Sequence, residues 1–190
     1  MEYLKQKILK EGIIKEGCIL KVDSFLNHQI DVEFLNEVGK EFKRRFSDKE
    51  VTKILTVEAS GIAIAVMTAQ YFNVPVLFAK KVESSNMDES TYESEVYSYT
   101  RGKTYKIRIS RNYLSKDDKV LVIDDFLANG SAALGLVNLV KSAGAELSGI
   151  GIVIEKSFQD GGKRLREKGI NLHSLVRVEF DSENNIVFKY

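Results

Sequence analysis

The run Val120-Leu121-Val122-Ile123-Asp124-Asp125-Phe126-Leu127-Ala128-Asn129-Gly130-Ser131-Ala132 limits what this chain can fold into more than any other stretch. Its apolar half is short and β-branched, as expected of a strand buried on both faces. The paired aspartates fall where such a strand leaves its sheet, the edge at which ligands of open α/β sheets bind. Gly130 lets the backbone approach a ligand closely. Ser131 and the amides after it open a helix that continues through Leu136 and Val140, which makes a seat for an anion.

A second unit of the same kind precedes it. Residues 53–57 read as a strand, Glu58-Ala59-Ser60-Gly61 as a loop, 62–72 as a small-residue helix and 76–79 as the returning strand, with Pro75, the only proline, just before it. In the first unit the helix runs to about Ser142, stops at Gly144, and leads to a strand at 150–154. Two such βαβ crossovers predict an α/β fold, a parallel twisted sheet flanked by helices. At 190 residues the chain has room for one well-buried core, so we expect a single domain over 1–190: a core at about 51–156 and a small lid from about 1–50 and 157–190.

The polar stretch 83–104 shows little periodicity and reads as a long mobile loop or hairpin, with 96–99 able to pair with 106–109. The net charge of +1 gives no general attraction to nucleic acid or anionic membrane, so any anion must be held locally by small-molecule sites. One cysteine, Cys18, and two histidines make neither an intramolecular disulfide nor a convincing zinc site, and no metal ligand is assigned. The N-terminal residues are charged throughout. The longest apolar run, 62–67, is far below the ~20 residues of a membrane span, so the expectation is a cytoplasmic protein. No repeat, GxGxxG or P-loop pattern is present in the sequence, which argues against a Walker-type nucleotide hydrolase.

The strand, aspartate pair and small-residue turn at 120–132 resemble the ribose-5-phosphate loop of type I phosphoribosyltransferases, with Asn129 in place of the usual Thr. Residues 20–31 and 154–159 resemble segments of bacterial members that act on xanthine, and the likeness runs from about Leu20 through Gly161. The resemblance implies transfer of a phosphoribosyl group from phosphoribosyl pyrophosphate to xanthine in purine salvage, with substrate-bound Mg²⁺ as cofactor and a homodimer as the assembly. It gives Asp124 and Asp125 the ribose hydroxyls and the developing positive charge, although either aspartate alone has a plain reading as a turn residue. Ala128, Asn129, Gly130, Ser131 and Ala132 are implied to hold the 5-phosphate, and Ala59 and Ser60 the pyrophosphate. Lys80 and Lys81 read plainly as a solvated pair, but their place at a strand end beside both anion loops suits the same pyrophosphate, with Lys81 preferred.

Leu20, Asn27, Lys156 and Phe126 are implied to contact xanthine: Lys156 at the 6-oxo group, Phe126 as a stacking wall. Read on residues alone, Asn27 is a turn residue and both Phe126 and Phe158 suit a core. Hypoxanthine–guanine relatives carry an acid where Ala128 stands, so catalysis here is expected to rest on orientation and charge stabilisation. The same fold serves regulators that sense phosphoribosyl pyrophosphate. Those generally add a DNA-binding module, and nothing before residue 20 reads as a basic recognition helix.

Overall fold

The computed structural model describes residues 1–15, 19–82, 90–99 and 102–189. The N-terminal part holds α1 (Glu2–Glu11), β1 (Ile13–Lys15), β2 (Ile19–Lys21) and α2 (Val32–Arg45). The first crossover is β3 (Lys53–Val57), α3 (Ser60–Phe72) and β4 (Val76–Val82), and a hairpin of β5 (Thr91–Ser98) and β6 (Lys103–Ser110) follows. The second crossover is β7 (Lys119–Leu127), α4 (Ser131–Ser142) and β8 (Glu146–Lys156). The chain continues with α5 (Gly161–Glu167), β9 (Leu172–Phe180) and β10 (Ile186–Lys189).

Eight strands make the central sheet in the order β10-β9-β8-β7-β3-β4-β6-β5. The five from β9 to β4 are parallel, and β10, β6 and β5 join antiparallel. Side chains of a strand alternate between faces. On β7, Leu121 and Ile123 therefore enter the apolar layer under α2 and α3 with Phe34, Phe42 and Ile64, while Val120 and Val122 enter the layer under α4 with Leu136 and Val140. Burying each such side chain stabilises the fold by about 1.5–3 kcal/mol. This two-sided burial is why β7 reads as a continuous apolar run. Asp31 caps α2 by accepting from the Phe34 amide at 3.0 Å, and its other oxygen meets Lys7 of α1 at 2.7 Å.

Several boundaries differ from the sequence reading. The aspartates do not leave the sheet: β7 runs on to Leu127 because β8 pairs with it through Asp124↔Ile152 and Leu127↔Glu155. Lys80 and Lys81 likewise lie within β4, extended by pairing with Arg108 and Ile107 of β6. The hairpin forms in another register, Val96 opposite Tyr105 and Ser94 opposite Ile107, so 106–109 face 92–95. Part of the expected mobile loop or hairpin, 83–89 and 100–101, and Cys18 fall outside the described residues. The terminal segments contribute more than a lid: β9 and β10 complete the sheet, and α2 buries Phe34, Leu35, Val38 and Phe42 in the core. Their apolar faces have nowhere else to be covered.

Candidate functional site

The chain direction sets where a site can form. From β3 the crossover leads to β4 on one side, and from β7 it leads to β8 on the other, so the order reverses between β3 and β7. A crevice opens beyond the carboxyl ends of two such strands. Here it holds two adjoining hollows. One, of about 220 Å³, is lined by Glu58, Ala59, Ser60, Lys81, Asp124 and Asp125, with Phe126 and Ala132. The other, of about 180 Å³, lies along 126–133 and the tip of the β5–β6 hairpin. Tyr105, Phe126 and Ala132 are common to both. A larger hollow of about 690 Å³, with Phe78, Lys80, Arg108 and Tyr113 among its walls, lies over the outer strands away from the aspartates. Convergence of charge decides for the smaller pair.

Strand alternation separates Lys81, which turns into the crevice, from Lys80, which turns to the opposite face beside Arg108. Glu58 fixes the 58–61 loop against β4: its carboxylate accepts from the Lys81 amide at 2.7 Å and its amide donates to the Ala79 carbonyl at 3.1 Å. The Glu58–Ala59 peptide is cis.

Each aspartate accepts from the amide that follows it, Asp124 from Asp125 at 3.0 Å and Asp125 from Phe126 at 2.8 Å. Asp124 is buried, and that burial, with the neighbouring charge of Asp125, pushes its carboxyl well above the usual carboxylate range. After them Gly130 takes a left-handed conformation, φ 82°, and caps α4, so the amides of the first turn face the second hollow with Ser131 and Ala132.

Phe126 reaches the crevice with one side on the core, and the Lys156 ammonium stands 5.0 Å from its ring centre. Lys156 is half-buried. Burial lowers its ammonium's affinity for a proton, and Asp125 partly restores it. Phe158 is exposed just beyond, edge-on to Phe180 at 5.4 Å. Leu20 and Asn27 line neither hollow. Leu20 packs its side chain into the core, and Asn27 is exposed at the end of the single wide turn Asp23–Asn27.

The family model for a phosphoribosyl transferase domain matches residues 26–181. The chain belongs to this family. It is 60% identical over 189 residues to a xanthine phosphoribosyltransferase of Clostridium novyi, covering the whole of both chains. It is 57% identical over 190 residues to a xanthine phosphoribosyltransferase 2 of Clostridium botulinum, again along the full length of both. Among solved structures, an adenine phosphoribosyltransferase of Trypanosoma brucei with AMP, pyrophosphate and ribose-5-phosphate superposes with a TM-score of 0.78 at 21% identity, covering 95% of this chain and 82% of that one. That likeness carries the phosphoribosyltransferase fold.

The sequence reading missed residues that contact the 128–132 turn from behind. Gly161 donates its amide to the Ala128 carbonyl at 3.0 Å, and Arg164 donates to the Asn129 carbonyl at 3.2 Å. A side chain on Gly161 would begin 2.2 Å from the Ala128 oxygen. The adjacent glycines at 161 and 162 were the available signal for so close an approach.

Proposed function

We propose that this phosphoribosyltransferase takes xanthine and phosphoribosyl pyrophosphate to xanthosine 5′-monophosphate and pyrophosphate. The observation that carries the reading is the meeting of Asp124, Asp125, Lys81 and the 58–61 loop in one hollow, next to the amide-lined start of α4. The 5-phosphate suits the amides and hydroxyl at 128–132, where the helix start favours negative charge. The pyrophosphate suits Ala59, Ser60 and Lys81, whose ammonium offsets the charge that gathers on a leaving group. As the C1–oxygen bond breaks, its electron pair departs with pyrophosphate, and a purine ring nitrogen forms the new bond to C1 while the base's imidazole proton passes to water or to the departing pyrophosphate. Asp124 and Asp125 then face the ribose, where hydrogen bonds to its hydroxyls orient the ring and negative charge favours the cationic transition state.

Mg²⁺ fits the hard oxygen donors of Asp124 and Asp125. Among the described residues no three His, Cys, Asp or Glu side chains gather to hold an ion alone, so substrate oxygens would supply most of its ligands. When bound it contributes positive charge at the departing pyrophosphate. No helix among the described residues is long and apolar enough to cross a membrane, in keeping with a cytoplasmic salvage role. We read residues 1–190 as one domain, since terminal and central segments share one sheet. A pyrophosphate-release assay with xanthine, guanine, hypoxanthine and adenine tests the reading; preference for any base other than xanthine would overturn it.

Base selection is assigned to Lys156 for the 6-oxo group and Asn27 for the 2-oxo group that distinguishes xanthine from hypoxanthine. Asn27 is exposed and outside both hollows in the unliganded chain, so this role requires the Asp23–Asn27 turn to close over the bound base. A 2-oxo group covered there and left unpaired costs about 1–3 kcal/mol, so Asn27→Ala should lower xanthine efficiency roughly ten- to a hundredfold and change hypoxanthine use much less. Lys156→Ala should weaken all 6-oxopurines together. Steady-state kinetics on both bases separate the two roles, and equal losses for both bases in Asn27→Ala would remove that amide from the 2-position.

The assembly is read as a homodimer. Light scattering at micromolar concentration should give about twice the 21.4 kDa chain mass, and a monomer alone would contradict it.

A further inference from the structure

We infer that Glu155 and α5 form a brace that fixes the spacing between the base-facing Lys156 ammonium and the phosphate-facing turn at 128–132. The inference rests on the site reading above. Glu155 and Lys156 are consecutive on β8, so their side chains leave opposite faces of the strand. Lys156 turns toward Phe126 and Asp125. Glu155, 2% exposed, turns the other way and is gripped by Arg166 of α5, whose two terminal nitrogens donate to its two oxygens at 2.8 and 2.6 Å. The Ser174 hydroxyl also donates to it, and Arg177 lies 3.4 Å away. Burial alone would raise this carboxyl's proton affinity, but Arg166 and Ser174 more than offset that, and Glu155 is held below its ordinary value as a carboxylate.

The same short helix reaches the phosphate turn with its other contacts. Gly161 bonds the Ala128 carbonyl, Arg164 bonds the Asn129 carbonyl, and Leu165 anchors the helix in the core. Gly162 sits where a Cβ would be 2.0 Å from the Glu155 carboxylate. A path of strong contacts thus runs from the strand carrying Lys156, through the Glu155–Arg166 fork, to the loop that seats the 5-phosphate. A fork of this kind is directional and stiff. Neither Glu155 nor Arg166 lines the crevice, so both are positioning residues. Their effect should appear where base and phosphate are handled together, because joining two ligands gains affinity only when their subsites keep the right separation.

The test is calorimetric binding of xanthosine 5′-monophosphate, ribose 5-phosphate and xanthine to the full chain. In Arg166→Met and Glu155→Gln the linked nucleotide should bind about tenfold or more weakly, while each fragment changes by less than about threefold. In turnover, kcat should fall with each KM near its original value. Arg166→Met leaves a buried carboxylate without its main partner. Arg164→Ala, which removes an exposed donor to the Asn129 carbonyl, carries the test if Arg166→Met does not fold, with a smaller loss in the same pattern. Fragments weakened as much as the nucleotide, or nucleotide binding unchanged in the folded variants, would overturn the brace alone. An unaltered chain that binds the nucleotide no better than ribose 5-phosphate would overturn the site reading and the brace with it.

Discussion

An Asp125→Asn variant is expected to lose about a hundred- to a thousandfold in kcat while still folding, because the group removed faces charge that develops only in the transition state. The amide keeps the carboxylate's shape, and its oxygen can still accept from the Phe126 amide. Asp124→Asn should also lose turnover and, at neutral pH, melt at a higher temperature than the unaltered chain. The sign follows from burial. A carboxyl whose proton affinity is raised in the folded state is protonated in both states at low pH and costs nothing there. As pH climbs through the ordinary carboxylate range, the unfolded chain ionises more readily than the folded one, and stability drains away. Asparagine has no such dependence. The two melting curves should therefore meet near pH 4 and diverge upward, by about 2–4 °C for each kcal/mol recovered in a chain of this size. Pre-steady-state turnover and melting between pH 4 and 8 measure both effects; unchanged turnover in both variants would sink the assigned role of the pair.

The second large effect is expected at a residue that touches no substrate. In Gly161→Ala the new Cβ would stand 2.2 Å from the Ala128 oxygen and 2.7 Å from the Gly130 nitrogen, both backbone atoms. No rotamer change relieves such a contact, so the turn at 128–132 must shift. A displacement of about 1 Å at a positioning element costs on the order of a hundredfold in rate. We therefore expect kcat/KM for phosphoribosyl pyrophosphate to fall by about that factor, with a loss of about 1–3 kcal/mol in stability from the strain. Kinetics at varied phosphoribosyl pyrophosphate and a denaturant melt decide it. A variant with unchanged kcat/KM would show that the turn tolerates the shift.

Much of this arrangement was legible because it follows local rules. The apolar run at 120–123, the aspartates, Gly130 and the stop at Gly144 each carry a signal within a few residues, and they placed β7, α4 and the crevice. The place of Lys80 and Lys81 beside the two anion loops points to an anion-binding lysine, and strand alternation supplies the physical reason that it is Lys81. What the sequence hid depends on distant partners. Nothing near Asp124 tells that β8 will carry the strand past it, nor near Lys80 that β6 will lengthen β4. Arg166 reads as one surface arginine in a seven-residue helix, and only the fold brings Glu155 beneath it. Within 172–180 only 176–180 alternate apolar and polar residues, and the strand's place beside β8 has no local cause.

The position of β9 also sets an order of events at the ribosome. Leu4 and Ile8 of α1 and the body of α2 are buried in the layer that includes Leu175, Val176 and Val178, and Arg45 of α2 donates to the Ser174 carbonyl across 129 residues of chain. At synthesis rates of about 5–20 residues per second, the N-terminal helices wait on the order of ten seconds for the strand that covers them. During that interval their apolar faces are open to chaperones and to neighbouring nascent chains.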